Sequence, residues 1–90
     1  MIVAYNSEYT QVGIVGDDNN NRQFGYLKPL TVFLCKNGAY YMKTCMYDDE
    51  YNAIQLTDEG AGQLWIISSS EQVLPVQAEI KITRGVYINE

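Results

Sequence analysis

Residues 76–83 carry the pattern that most constrains the fold of this chain. Apolar and polar residues alternate strictly along "VQAEIKIT": Val76, Ala78, Ile80 and Ile82 are separated by Gln77, Glu79, Lys81 and Thr83. Successive side chains of a β-strand point to opposite faces of a sheet. The alternation therefore predicts a strand with one buried face and one solvated face.

Other segments extend the strand pattern along the chain. In "YTQVGIVG", Val12 and Ile14 share one face. The run "QLWIIS" indicates either a doubly buried strand or a piece of helix, and "YNAIQL" is equally ambiguous. Thr57 can begin a helix, but Gly60 and Gly62 oppose its continuation. Turn residues cluster in "GDDNNNRQFG", "KNG", "TDEGAG", "SSSEQ" and "TRG". This spacing predicts a mainly β fold, a small antiparallel sandwich or open barrel with room for one short helix.

Length and composition predict a single β-rich domain, residues 1–90. A chain of 90 residues with 47% apolar composition fits one compact core and leaves no room for a second. No apolar run approaches the roughly 20 residues that a membrane helix needs. The first residues lack the basic and apolar regions of a signal peptide. We therefore expect a cytoplasmic protein, in a bacterial cell or in an infected host cell.

The segment "LCKNGAYY" predicts a β-hairpin, because Asn37-Gly38 between two apolar runs favours a type I′ turn. With a two-residue turn, Cys35 faces Tyr40, and Cys35 and Cys45 project to opposite sides of the sheet as reduced thiols. One face then carries Lys36, Tyr41 and Lys43 with Leu30, Val32, Leu34, Ala39 and Cys45; the other carries Cys35, Phe33, Thr31, Tyr40, Met42 and Thr44. The second face has the composition of a core.

The sequence lacks the residues that many enzymes use near neutral pH. It contains no histidine, which removes the usual general base, the usual metal ligand and every Ser–His or Cys–His pair. Residues 17–28 open like a calcium loop, but Arg22 and Lys28 stand where a glycine and a bidentate glutamate are needed. The polar part of this segment predicts a hairpin loop instead. We expect a non-enzymatic protein without catalytic residues, metal or cofactor.

The charge distribution points to binding. Between Lys43 and Lys81 the chain has no basic residue, and this stretch contains seven acidic ones: Asp48, Asp49, Glu50, Asp58, Glu59, Glu71 and Glu79. A field of this sign repels nucleic acid and attracts basic protein surfaces. Tyrosines beside the acids in "MYDDEYN" would supply the aromatic anchors that interfaces favour. The predicted partner-binding residues are Tyr47, Asp48, Asp49, Glu50, Tyr51, Asp58 and Glu59. The same acids also account for solubility alone.

The favoured function is a small acidic inhibitor, of the kind that phages and toxin-carrying bacteria make, which occludes a basic surface of a target protein. The first alternative is an assembly component that self-associates through its β-surface, with Leu34, Tyr41 and Lys43 as a second interface. The second alternative is a single-stranded nucleic-acid-binding module, because residues 22–43 interleave basic and aromatic side chains. The net charge of −5 opposes nucleic-acid binding. No membrane partner is predicted.

Overall fold

The computed structural model describes residues 2–7, 10–17, 20–47 and 51–81. These residues form an antiparallel sheet curled into a half-barrel, which confirms the predicted mainly β fold. The strands are β1 (Ile2–Asn6), β2 (Gln11–Asp17), β3 (Arg22–Gln23), β4 (Val32–Leu34), β5 (Tyr40–Tyr47), β6 (Tyr51–Gln55), β7 (Leu64–Trp65) and β8 (Gln72–Lys81). One turn of 3-10 helix, Phe24–Tyr26, follows β3. No helix in the described part of the chain is long and apolar enough to span a membrane.

Strand β8 joins the two halves of the sheet. The strand order is β1-β2-β8-β4-β5-β6-β7, and β3 also pairs with β8. All pairings are antiparallel. Residues 76–81 of the alternating segment lie in β8, where Val76 and Ala78 are half-buried; residues 82 and 83 lie outside the described residues. Ile80 is 51% exposed, so burial of this face ends before the strand does.

Strands β2 and β3, which flank the polar segment predicted as a hairpin loop, do not form a hairpin with each other; residues 18 and 19 of that segment lie outside the described residues. Pairing of β2 with β8 ends at Asp17 opposite Val76, and β3 resumes it with Arg22 opposite Val73. Because both strands are antiparallel to β8, they run in the same direction, whereas the two strands of a hairpin run in opposite directions. Pro75 of β8, which has no N–H to donate, lies between the two paired stretches.

The β4–β5 hairpin forms as predicted, but with a different turn. Its loop takes three residues, 36–38, and is closed by a hydrogen bond from Cys35 N to Ala39 O at 3.1 Å. Gly38 has a φ angle of +86°. Three-residue hairpin loops of this kind place glycine at the left-handed position that follows a tight turn.

The longer loop shifts the hairpin register by one residue from the predicted one. Phe33 lies opposite Tyr41, and Leu34 opposite Tyr40. A one-residue slip moves a strand's side chains to the other face of the sheet. Tyr41 therefore shares a face with Phe33, where the sequence placed it with Leu34.

The main core lies on the face that carries Phe33 and Tyr41. Its buried members are Phe24, Phe33, Ala39, Tyr41, Ala53 and Val73. The Phe33 ring stacks on Tyr41 with a centroid separation of 5.8 Å and meets Phe24 edge-on at 5.3 Å. Two covering segments bury this face: the 3-10 turn, and the crossing segment, residues 67–71, which leads back to β8. Backbone hydrogen bonds join them, from Phe24 N to Glu71 O at 2.8 Å and from Gly25 N to Ser69 O at 2.9 Å.

The β1–β2 hairpin lies toward the opposite face of the sheet. Tyr5, Thr10 and Val12 line a cavity of about 220 Å³ together with Ile54 and Leu56. Val12 is 2% exposed. The chain therefore places its own segments over both faces of the central strands.

Two segments that the sequence left ambiguous are not helical. Residues 51–55 of "YNAIQL" form β6, while "QLWIIS" contributes only the two residues of β7 and is neither helical nor doubly buried. Thr57 begins a turn in place of a helix, because Asp58 has a φ angle of +65°. The Thr57 hydroxyl accepts a hydrogen bond from Tyr40 N at 3.0 Å.

Candidate binding surface

Consecutive apolar residues are exposed at the free edge of the sheet. Leu64, Trp65 and Ile66, which we call the β7 edge, are 51%, 43% and 63% exposed. Strand β7 is last in the strand order of the described residues and pairs there on one side only, with β6. Natural proteins usually avoid apolar side chains on an unpaired strand, because such an edge associates with other chains. The β7 edge is therefore the strongest candidate for a contact surface.

Backbone groups at the β7 edge also point away from the sheet. Gln55 N donates to Gln63 O at 2.9 Å, and Gln55 O accepts from Gly62 N at 2.7 Å, so the ladder is hydrogen-bonded at Gln55. In an antiparallel ladder, hydrogen-bonded pairs alternate with pairs whose N–H and C=O groups point outward. Leu64 takes the next position, opposite Ile54, so its N–H and C=O face away from β6. A strand of another molecule can add at such an edge through main-chain hydrogen bonds.

A pocket of about 340 Å³ adjoins the β7 edge. We call it the Trp65 pocket. Tyr41, Trp65 and Ile67 contribute apolar surface to its lining, and Lys36 and Glu71 contribute charges of opposite sign. Pockets of roughly 300 to 1,000 Å³ are typical of ligand sites. The pocket lies between the β4–β5 turn and the crossing segment, both of which supply lining residues.

Hydrogen bonds hold the aromatic rings of the pocket in place. Trp65 Nε1 donates to Gln55 Oε1 at 3.0 Å, and Gln55 Nε2 donates to Thr57 O at 2.8 Å. The Tyr41 and Trp65 rings meet edge-to-face at 6.3 Å. Asn37 Nδ2 donates to the Tyr41 hydroxyl at 2.8 Å. The rings are thus oriented by the protein before any ligand arrives, which lowers the entropic cost of binding.

The far end of β7 is fixed by a side chain. Asn52 Nδ2 donates to Ile67 O at 2.9 Å, and Ile67 N donates to Asn52 Oδ1 at 2.8 Å. The amide of Asn52 therefore takes the place of a backbone partner where β7 has ended. This pair ties the start of the crossing segment to β6, beside Tyr51.

The predicted partner-binding residues are divided between the two ends of β6. Tyr47 pairs with Tyr51 at one end, and Tyr51 is 37% exposed; Asp48, Asp49 and Glu50 lie outside the described residues. Asp58 and Glu59 are exposed in the turn at the other end. The strand between Tyr51 and Gln55 spans about 13 Å at ~3.3 Å per residue. The β7 edge runs alongside this strand, so it lies between the two groups.

The predicted second interface does not form a surface. Tyr41 is 3% exposed and lies on the opposite face from Leu34. Lys43 Nζ donates to Phe24 O at 3.2 Å and to Leu27 O at 2.7 Å, and it lies 4.6 Å from the Phe24 ring centroid. These contacts hold the Lys43 ammonium group inside the fold and away from a partner. The cause is the one-residue shift in hairpin register.

Burial removes three aromatic side chains from the predicted nucleic-acid platform. Phe24, Phe33 and Tyr41 are at most 3% exposed, so their rings cannot stack on bases. Tyr26 is 79% exposed and Tyr40 is half-buried, whereas a single-strand platform stacks successive bases on exposed rings.

Cys35 lies in the Trp65 pocket as a protonated thiol. Burial, and secondarily the negative charge of Glu71, raise the pKa of Cys35 to about 11. Because the thiolate is the reactive form, this environment opposes nucleophilic chemistry near neutral pH. Cys45 is exposed, and both cysteines are free. Within the described residues, no group of three or more Cys, Asp or Glu side chains could hold a metal ion.

Sequence reasoning did not identify the β7 edge. The run "LWII" has the pattern of a buried segment, because apolar runs usually are buried. Its position after the glycine-containing turn "TDEGAG" and before the polar "SSSEQ" was the available signal of a short edge strand. Comparison with known proteins gives no match, whether to family models, to curated proteins or to solved structures.

Proposed function

We propose that this protein acts by binding another protein, whose apolar strand, flanked by basic residues, docks on the β7 edge. The observation that carries the proposal is the exposure of the apolar side chains Leu64, Trp65 and Ile66 at the end of the sheet, where β7 pairs on one side only among the described residues. An added strand would gain main-chain hydrogen bonds from the edge and apolar burial from its side chains.

Charge supports a basic partner. Asp58 and Glu59 lie in the turn before β7, and Glu71 ends the crossing segment after it. The stretch from residue 44 to residue 80 contains no lysine or arginine. Complementary charge speeds association and rejects acidic partners. In its sharper form, the proposal is an acidic inhibitor that occupies a basic functional surface of its target in the cytoplasm of a bacterial or infected host cell.

The same charges disfavour a second copy at this edge. Antiparallel pairing of two β7 strands would bring Asp58 and Glu59 of one molecule toward Glu71 of the other. Like charges in such positions cost binding free energy, and each molecule carries a net charge of −5. A heterologous, basic partner fits the edge better than self-association does.

The test compares Leu64→Lys with Val15→Lys. Leu64 and Val15 are 51% and 55% exposed in strands, and both substitutions make the same change in charge. Lysine on an edge strand opposes strand addition. Tagged proteins are incubated with nuclease-treated cell extract, washed at low and then high salt, and the bound proteins are quantified by mass spectrometry.

We expect a basic protein that is retained by the unmodified chain and by Val15→Lys, released at high salt, and lost with Leu64→Lys. Equal retention by all three proteins would contradict binding at the β7 edge. Recovery of self-copies alone, with a concentration-dependent mass in light scattering, would favour the assembly alternative.

The acidic segment "MYDDEYN" forms a second arm of the same experiment. Replacing Asp48, Asp49 and Glu50 by lysine should weaken retention if they contact the partner, while replacing Asp58 and Glu59 tests the other end of the edge. Unchanged retention in the first variant would limit the contact to the β7 edge and the turn before it.

A further inference from the structure

The Trp65 pocket contains a carboxylate that makes no ion pair with any of the described residues. This carboxylate belongs to Glu71, which is half-buried in the pocket lining. No ion pair between it and a lysine or arginine occurs in the described part of the chain. Lys36 contributes to the same lining, yet its ammonium group does not pair with Glu71. The pocket therefore presents a negative group that is available to an incoming cation.

The aromatic wall beside this carboxylate is also available. Trp65 is 43% exposed, and its indole N–H is already bonded to Gln55. What the ring offers a ligand is therefore its π-face. Tyr41 is 3% exposed and acts as support, through its edge-to-face contact with Trp65. Among aromatic side chains, tryptophan attracts cations most strongly.

We propose that the Trp65 pocket binds an arginine side chain, whose guanidinium group stacks on Trp65 and pairs with Glu71. This rests on the proposed function, since the arginine belongs to the partner that docks on the β7 edge. A planar guanidinium can stack on an aromatic ring while donating two hydrogen bonds to a carboxylate, which a lysine ammonium cannot. The pocket volume of about 340 Å³ accommodates one long side chain.

Substitutions at two residues of the pocket should change its affinity for arginine in opposite directions. Glu71→Gln removes the negative charge and should weaken arginine binding about tenfold, the loss of one charge-assisted contact. Lys36→Gln removes a competing positive charge and should strengthen binding by about twofold to threefold. A purely structural role of these residues would not change affinity with opposite signs. Glu79→Gln, which removes an acid from an exposed position of β8, is the matched control.

The experiment uses N-acetyl-arginine amide and its neutral analogue N-acetyl-citrulline amide as probes. Trp65 is the only tryptophan in the chain, so the indole N–H resonance in a ¹H–¹⁵N NMR spectrum reports on the pocket alone. We expect a saturable shift with the arginine probe, weaker with Glu71→Gln, stronger with Lys36→Gln and unchanged with Glu79→Gln. Rising salt should weaken the interaction.

Equal shifts with both probes, or no shift, would overturn the proposal. A lysine probe that binds as well as the arginine probe would overturn the stacked, bidentate geometry. Leu64→Lys separates this proposal from the function on which it rests, because Leu64 does not line the pocket. Arginine binding that survives Leu64→Lys while partner retention is lost supports both. If Leu64→Lys also retains the partner, the proposal of docking at the β7 edge is wrong, and the proposal of arginine binding in the Trp65 pocket is kept.

Discussion

The centre of the sheet and the β7 edge both consist of aromatic and apolar side chains, but these are buried at the centre and exposed at the edge. Phe33 in β4 is 0% exposed, whereas Trp65 and Ile66 are 43% and 63% exposed. The centre is buried because the 3-10 turn and the crossing segment pack over it. The β7 edge is fixed by hydrogen bonds, from Trp65 to Gln55 and from Ile67 to Asn52, but nothing in the described chain packs over it. Residue type alone does not separate a core from a contact surface here; coverage by distant segments does.

This division assigns folding stability to the centre and recognition to the edge. Removing contacts at the centre should therefore lower the free energy of unfolding, while changes at the edge should alter binding with little loss of stability. Three substitutions test how sharp the division is.

Lys43→Met should have the largest effect on stability. Methionine keeps the apolar stem but leaves the carbonyls of Phe24 and Leu27 without the Nζ donor that lies 3.2 and 2.7 Å away. We expect the free energy of unfolding to fall by about 2 kcal/mol, measured by chemical denaturation. Lys36→Met, at the exposed hairpin turn, should stay within about 0.5 kcal/mol. Similar losses in both variants would contradict a special role for Lys43 in the centre.

Gly60→Ala, in the turn before β7, should change the orientation of the Trp65 ring through Gln55. A Cβ at Gly60 would lie 2.5 Å from Gln55 Oε1, the atom that accepts the indole hydrogen bond. Gln55 must move and lose its bonds, so we expect a loss of about 1 kcal/mol and a changed Trp65 fluorescence. Gly16→Ala is the control, because a Cβ added there would meet no atom of the described residues within 4 Å, apart from its chain neighbours. Unchanged fluorescence in Gly60→Ala would show that Gln55 does not orient the ring.

The smallest expected effect is on the pH dependence of the free energy of unfolding. Burial raises the pKa of Cys35 to about 11 from an ordinary value of 9.0. The folded state therefore holds this proton more tightly than the unfolded chain does, and the resulting stability is complete below pH 9 and lost as the pH rises toward 11. Unfolding measured across this range should show a weaker alkaline decline for Cys35→Ser than for the unmodified protein. Cys45→Ser, at an exposed position, should keep the original profile.

The sequence predicted the strands well where the signal was local. The alternation that begins at Val76 and the turn signal at Asn37-Gly38 each depend on a few neighbouring side chains. Residues 76–81 lie in β8, and the turn signal lies in the β4–β5 hairpin. The hairpin register was wrong because asparagine and glycine suit both a two-residue turn and a three-residue loop that ends in a left-handed glycine. The one additional residue in the loop decides whether Tyr41 faces the core.

The candidate surface could not be predicted for a different reason. Whether Trp65 and Ile66 are buried depends on the strand order, which places β7 last and leaves its far side without a neighbour among the described residues. Strand order is a non-local property, and a short apolar run has the same local pattern at an edge as in a core. The acidic residues were visible in the sequence, but their separation along β6 became apparent only with the fold.

The central position of β8 has a consequence for how the chain folds. Strand β8 pairs with β2, β3 and β4 and follows all of them in sequence. Until β8 docks, the β1–β2 hairpin and the β4–β7 meander are separate pieces, each with an open strand edge. Pairing between distant segments slows folding, and open edges in partly folded chains promote aggregation. A nascent chain of this protein is therefore most exposed to misassembly in the interval before β8 emerges and docks.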